Sequence, residues 1–368
     1  MKRILCAFIS LVILILSSYC VKGISANAAV VVNGDSGDVL YSHNGDVRLP
    51  MASTTKIMTA LVLLENCKNL DEEIVTTKEM VTVEGSSMGL LPGDRVSYRA
   101  LLYGMMLASG NDAANTVAIA VGGSVAGFVE LMNKKAQDLG LKNTHFVTPS
   151  GLDAEGHYTT AYELALIARA ALKNSDFAEA AAAKSATLCY GNPPYKRSVS
   201  NHNRLLRMYD DVIGVKTGFT KKSGRCLVSA ARRDGKLVIA VTLNDGNDWA
   251  DHRFLLDTGL GAIEVCEYEP ECKSVSIPVI GGEKEYLNIQ TSPAKFSKQK
   301  GQSVTSVFCA PRFLYAPVED NTIIGNVEYY TLDRLVYKSN IISTVVKGKK
   351  VNKWHLIAEL FKLMLSYV

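Results

Sequence analysis

Apolar positions along this chain change their spacing three times, and each change marks a different kind of structure. From Ser53 to about Lys173 they recur with helical periodicity. Ile57 to Leu64 is apolar almost all the way round, and Ala100–Ala108, Ala113–Val121, Val125–Leu139 and Ala161–Leu172 follow it. A helix without a polar face belongs inside a domain, so the first of these is the expected central post. Pro50 cannot lie within it, which sets its start near Ser53. Thr160, with Glu163 three residues on, is a capping-box pattern opening the last of the series.

Strand-like runs flank this helical stretch on both sides. Ala29–Asn33 and Asp38–Tyr41, separated by the turn Gly34-Asp35-Ser36-Gly37, read as a β-hairpin. Gly214–Phe219, Arg225–Ala231 and Lys236–Leu243 read as strands, the last two joined around Asp234-Gly235, and a helix near Asp251–Leu260 follows. Strands, then helices, then strands and a helix imply an α+β fold: an antiparallel sheet flanked by helices, its first and last pieces brought together, with an inserted helical lobe. Beyond Cys272 the pattern alternates, as in Val275, Ile277 and Val279, and Val327–Tyr337 is rich in β-formers. Residues 273–346 are therefore expected to form a small all-β domain, a spacer or interaction module, after a first domain over 29–270.

The two ends read differently. Met1–Ala28 opens with Lys2 and Arg3, runs apolar from Ile4 to Leu16 and ends on the small-x-small site Ala26-Asn27-Ala28. That is the pattern of a secretory leader, with cleavage expected after Ala28. About 340 residues would remain, more than one hydrophobic core usually spans, in keeping with two domains. At the other end His355, Glu359, Lys362 and Ser366 share one helical face, while Trp354, Leu356, Ile357, Leu360, Phe361 and Leu363 are apolar. About 15 residues are too few to span a bilayer but enough to lie in its interface, with Lys347, Lys349, Lys350 and Lys353 beside anionic head groups. Residues 353–368 are expected to be an amphipathic membrane-anchoring helix.

Composition adds limits. Export permits disulfides, and six of the eight cysteines lie beyond the leader: Cys67, Cys189, Cys226, Cys266, Cys272 and Cys309. Six allow 15 pairings, among which sequence does not choose, and buried thiols are the competing reading. Cys266 and Cys272 are the one close pair. A net charge of +4 without a basic stripe gives no case for nucleic acid. Six scattered histidines and no zinc spacing give none for a metal, and no cofactor is expected.

Three short stretches carry the chemistry. Ser53 opens the buried helix and Lys56 falls nearly one turn later on the same face, a nucleophile beside a base. Alone, Ser-x-x-Lys is common, and Ser53 reads equally as an N-cap. Ser109-Gly110-Asn111 lies between two helical runs, and Lys216-Thr217-Gly218 lies in a strand. Each is ordinary by itself; in this order they are the signature set of penicillin-binding proteins and serine β-lactamases. The lobe would carry Ser53 and Ser109 and the facing strand Lys216, so one cleft is lined from three distant points. Asn201, His202 and Asn203, just before that strand, stand as either pocket residues or turn formers.

On Ala52–Thr59, Ser109–Ala114, Gly151-Leu152-Asp153 and Gly214–Thr220 the chain resembles the low-molecular-weight penicillin-binding proteins, specifically the D-alanyl-D-alanine carboxypeptidases of the bacterial cell wall. The resemblance implies a transpeptidase/β-lactamase-like domain, a β-rich domain and a terminal anchor, on an exported enzyme at the outer face of the cytoplasmic membrane. It implies removal of the terminal D-alanine from peptidoglycan stem peptides through a Ser53 acyl-enzyme, with β-lactams as covalent inhibitors. Lys56 would be the general base, Ser109 would relay a proton to the leaving amine, and Asn111 would orient Lys56. Thr217 and Lys216 would grip the substrate carboxylate, Gly218 would let the substrate lie against the strand, and the N–H groups of Ser53 and Phe219 would hold the oxyanion. Phe219 is a departure, since some members carry histidine there; substrate preference is where its effect is expected. Two alternatives stand beside this reading. One is a class A-like β-lactamase, for which Glu163 is the candidate second base, although Ala165 stands where such enzymes carry asparagine. The other is an inactive wall-binding protein, against which the intact motifs speak.

Overall fold

The computed structural model describes residues 23–349 together with Ile357, Ala358 and Leu360. The expected leader up to position 22 and the rest of the expected C-terminal helix lie outside the described residues. The chain begins with β1 (Ala28–Asn33), β2 (Val39–His43), α1 (Lys56–Asn66), β3 (Glu73–Val75), α2 (Lys78–Val81) and β4 (Arg95–Ser97). It continues through α3 (Tyr98–Leu107), α4 (Asn111–Gly122), α5 (Val125–Asp138), α6 (Ala161–Ala171), α7 (Ser175–Ala182), β5 (Ser185–Gly191) and β6 (Pro194–Ser200). The first unit closes with α8 (Leu205–Met208), β7 (Val212–Thr220), β8 (Gly224–Arg233), β9 (Lys236–Leu243) and α9 (Asp248–Ala262).

Five strands form one antiparallel sheet in the order β2-β1-β9-β8-β7, so the first and last pieces of the unit meet as β1 against β9. β1 reads Ala-Ala-Val-Val-Val-Asn without alternation because both faces of the sheet are covered. Ala28, Val30 and Val32 enter the core beneath the helical lobe, whereas Ala29 and Val31 join Leu255, Leu256 and Leu260 of α9 in a second core. α1 is buried from Lys56 through Leu63 and packs against α3, α4, α5 and α6, which is the expected post. Burial of Ile57, Met58, Leu61 and Leu63 contributes about 1.5–3 kcal/mol each, and it fixes the end of the helix that carries Lys56.

The hairpin β5–β6 had no clear signal in the apolar spacing. β5 buries only Leu188, Tyr190 and Gly191, so its alternation is two side chains long. The expected cut after Ala28 would fall after the first residue of β1. Ala28 has no exposed surface and stands opposite Leu243, and Asn27 N donates to Asn244 O at 3.0 Å, because β9 needs a partner along its whole length.

After α9 come β10 (Ile263–Tyr268), β11 (Ser274–Ile280), β12 (Tyr286–Gln290), β13 (Ala294–Gln299), β14 (Thr305–Cys309), β15 (Leu314–Tyr315), β16 (Ile323–Thr331) and β17 (Arg334–Ile342). They form three small sheets around a core of their own that includes Ile277, Phe296, Tyr329 and Val336. β10 pairs with β13, Ile263 opposite Gln299, so the β-rich unit begins where α9 ends, ahead of the expected boundary at 270. Asn33 and Ser297, both buried, tie the units together: Asn33 Nδ2 donates to Ser297 O at 3.2 Å and Ser297 Oγ donates to Asn33 Oδ1 at 3.0 Å. The six described cysteines are free thiols, Cys226 buried and the others partly or fully exposed.

Candidate active site

Ala52–Thr55 form a single 3₁₀ turn ahead of α1. Ala52 sits at φ +47°, a left-handed conformation that costs a residue with a β-carbon on the order of 1–3 kcal/mol. Its carbonyl is held from two sides. Thr55 Oγ1 donates to Ala52 O at 2.7 Å, and Gly151 passes so close that a β-carbon there would stand 1.9 Å from the same oxygen. Behind Thr55 lies His157. Val147 N donates to its Nδ1 at 3.0 Å, which leaves the ring proton on Nε2, 2.8 Å from Thr55 Oγ1. Burial, and after it the neighbouring His145, pushes His157 down to about 4, so the ring stays neutral and its hydrogen bonds keep their direction.

Lys56 is wholly buried one turn further on. Its Nζ lies 3.1 Å from Ser53 Oγ, 2.7 Å from Asn111 Oδ1 and 2.7 Å from Ser150 O. The two carbonyl oxygens can only accept. A neutral amine has two N–H groups for them and one lone pair, which then faces the Ser53 hydroxyl. Burial first, and the charge of Lys216 second, hold Lys56 well below the usual lysine range, against a smaller opposing pull from Asp112.

Asn111 is positioned in turn: its Nδ2 donates to Glu84 O at 2.7 Å and its backbone N to Ser86 O at 2.7 Å. The Asp112 carboxylate accepts from Ser87 Oγ at 2.6 Å, from Met88 N and Gly89 N at 2.9 Å and from Leu90 N at 3.0 Å, which pins the 84–90 loop to the start of α4. Ser109, at φ +57°, is the second strained residue of the site. From the opposite side β7 supplies Lys216, Thr217, Gly218 and Phe219. Lys216 is buried, donates from Nζ to Thr217 O at 2.8 Å, and is pushed by burial down to about 7. A β-carbon on Gly218 would stand 3.0 Å from Ser53 N and 3.1 Å from Thr54 N, so only glycine lets β7 approach the serine turn this closely.

Ser53, Ser86, Ser109, His202, Thr217, Gly218 and Phe219 line one cavity of about 520 Å³, completed by Arg225, Asp248 and Trp249. Arg225 and Asp248 are paired at 2.7 Å, and the guanidinium lies over the Trp249 ring at 5.7 Å. The fold thus brings together the three motifs, with Lys56 and Asn111 against Ser53 and Lys216 within the strand that faces it.

This arrangement coincides with a family. The model of D-alanyl-D-alanine carboxypeptidases matches residues 17–247, a span holding all three motifs. The chain belongs to that family. It is 34% identical over 291 residues to D-alanyl-D-alanine carboxypeptidase DacF of Bacillus subtilis, across 77% of this chain and 75% of that one. Among solved structures, penicillin binding protein 5 from Haemophilus influenzae is similar with a TM-score of 0.66 at 27% identity, covering 89% of this chain and 98% of that one. The Streptomyces K15 DD-transpeptidase is similar with a TM-score of 0.62 at 35% identity, over 65% of this chain and 98% of that one. The α+β fold of the family, with a C-terminal β-rich unit, is therefore the fold of this chain.

Within this carboxypeptidase-family site some sequence expectations divide. Of the three residues before β7, His202 lines the cavity, whereas Asn201 and Asn203 are turn formers: Asn201 Nδ2 donates to Ala183 O at 3.0 Å and Asn203 Oδ1 accepts from Leu205 N at 3.1 Å. Glu163 shows half of its capping box, with Glu163 N donating to Thr160 Oγ1 at 3.1 Å. Its carboxylate turns away to accept from Lys142 N, Asn143 N and Thr144 Oγ1, because three donors of one loop outbid a single N–H at the helix start. The Ser150 carbonyl, His157 and the Arg225–Asp248–Trp249 wall had no sequence pointer beyond the neighbouring stretch Gly151-Leu152-Asp153.

Proposed function

We propose that the chain is a serine-type D-Ala-D-Ala carboxypeptidase that releases the terminal D-alanine of peptidoglycan stem peptides through a Ser53 acyl-enzyme, and that penicillin acylates the same serine. The observation that carries this reading is the surroundings of Lys56 Nζ, two obligate acceptors and one hydroxyl around a buried amine. Lys56 takes the Ser53 proton and Oγ attacks the scissile carbonyl. The oxyanion is held by the N–H groups of Ser53 and Phe219, a role supported by the close approach of Gly218 to the serine turn. Ser109 passes a proton to the leaving nitrogen, the C–N bond breaks and D-alanine departs. Thr217 and the charge of Lys216 grip the substrate carboxylate, and Asn111 holds Lys56 in register. Water then attacks the ester, with Lys56 again as base.

Penicillin differs because its leaving group stays tethered and blocks that water. A β-lactamase would need a second base over the ester, and both oxygens of Glu163 are engaged with the 142–144 loop. Incubation with a stem-peptide mimic is therefore expected to release D-alanine catalytically, while the penicilloyl-enzyme persists for minutes or longer. Rapid penicillin turnover without D-alanine release would favour the β-lactamase instead. Neither acylation nor D-alanine release would favour a wall-binding protein.

The working location in this reading is the outer face of the cytoplasmic membrane, held by the 353–368 helix. Among the described residues no single helix is long and apolar enough to cross a membrane. Each of the lysines at 347, 349, 350 and 353 contributes about 1 kcal/mol at an anionic surface. Deleting the residues after Lys353 is expected to move active enzyme into the soluble fraction; unchanged membrane association would refute the anchor.

A further inference from the structure

The first described residues enter a site that lacks a cation. Asp245 and Asp251 are 1% and 3% exposed and flank Ser25. Ser25 Oγ lies 2.6 Å from Asp245 Oδ1 and 2.8 Å from Asp251 Oδ2, and Ser25 N donates to Asp251 Oδ2 at 2.7 Å. A hydroxyl has one proton, so it serves only one of the two carboxylates. Asp245 Oδ1 also accepts from Asn247 N at 2.9 Å, Asp245 Oδ2 has no hydrogen-bond partner, and among the described residues no cation is paired with either acid. Asp248, the third buried acid here, takes Arg225 for itself. Burial, and the charge of Asp251, raise Asp245 above the usual carboxylate range, as two acids without a counter-ion require.

The chain start is also built into the fold. Asn247 N donates to Ser25 Oγ at 3.0 Å, and Ala26 and Ala28 are 4% and 0% exposed. A cut after Ala28 would strip these contacts, taking the Ser25 donors from Asp251 and leaving Asp245 with Asn247 N on Oδ1. A cut after Ile24 would put a β-branched residue where processing wants a small one, and a later cut would remove Ser25. Gly23 is small, exposed and in open space, and Val21-Lys22-Gly23 ends the segment before it. The Ile24 side chain is partly buried against the α9 core, which fixes the position of its nitrogen beside Ser25.

We infer that a leader peptidase cuts between Gly23 and Ile24, and that the new Ile24 ammonium, one peptide unit from Ser25 N, is the counter-ion of Asp245 and Asp251. Water adds across the Gly23–Ile24 amide: Gly23 leaves with the carboxylate, and Ile24 keeps the nitrogen, protonated at neutral pH. The link sits at the start of α9, beside Asp248 and Trp249, so the mature terminus braces one wall of the cavity.

The full chain, exported from a bacterial host with its leader, is expected to yield a mature protein beginning Ile-Ser-Ala-Asn-Ala on N-terminal sequencing. A start at Ala29, or a lipid-modified Cys20, overturns the assignment. The ion pair is tested on forms made with clean termini at Ile24 and at Ala29. The Ile24 form is expected to melt roughly 5 °C higher or more, and Asp251→Asn to lower the Tm of that form alone; equal melting, or equal loss in both, overturns it. If Asp251→Asn does not fold, the pKa of the Ile24 amine in the unmutated form decides. Labelling across pH, read by mass spectrometry, is expected to place it above the ordinary range of about 7.7–8.0, and a value within that range overturns the pairing.

Discussion

Ser53→Ala is expected to abolish labelling by fluorescent penicillin and leave the melting temperature within about 2 °C of the unmutated protein. Loss of a serine nucleophile costs on the order of 10⁶ in rate, beyond the range of a gel assay. The cavity offers three other hydroxyls, on Ser86, Ser109 and Thr217, but of the four Ser53 is the one whose hydroxyl lies within hydrogen-bond distance of a buried amine. The fold has little stake in that hydroxyl. Ser53 is half-buried, its turn is held by Thr54 Oγ1 on Met51 O and Thr55 Oγ1 on Ala52 O, and alanine fits the same backbone. Peptide mapping of the unmutated protein should place the label on the tryptic fragment containing Ser53. Label that survives the substitution, or maps to Ser109, would move the nucleophile to another motif.

What the chain discloses in advance depends on whether a feature repeats. α1 is legible because eight successive positions are buried and only Lys56 and Thr59 among them are polar, and β1 because a strand covered on both faces needs no alternation. The three motifs are legible as a set although no one of them is. A bond to a backbone carbonyl leaves no such trace: Ser150 O, which fixes the Lys56 amine, lies 94 residues from it and any residue type has that oxygen. His157 is one histidine in a loop until Val147 N and Thr55 Oγ1 are seen to set its tautomer. The starts of two elements share one cause. β1 and β10 are each extended by a partner remote in sequence, β9 and β13, so the ladder runs past the point where composition changes.

Lys56→Arg is expected to slow acylation of Ser53 at least about a hundredfold. The substitution keeps a long basic side chain but not the chemistry, since a guanidinium stays protonated above pH 12 and has no lone pair to offer Ser53 Oγ. The unmutated enzyme should also disclose its two amines through pH. Lys56 acts when neutral, so the rate rises with pH through its depressed pKa. Lys216 acts when charged, and it titrates near 7, so the rate falls as pH climbs past that value. Each amine's charge lowers the other's affinity for protons, so the two limbs belong to the pair. Lys56→Arg should lose the acid limb and keep the alkaline one; Lys216→Arg, whose charge persists, should lose the alkaline limb and keep the acid one. The measurement is kcat/KM for D-alanine release and the second-order acylation rate, each from pH 5 to 10. A near-normal rate in Lys56→Arg, or an acid limb that survives in it, would assign the base to another group. The amine held by Asn111 and Ser150 would then be a structural ion rather than the proton acceptor.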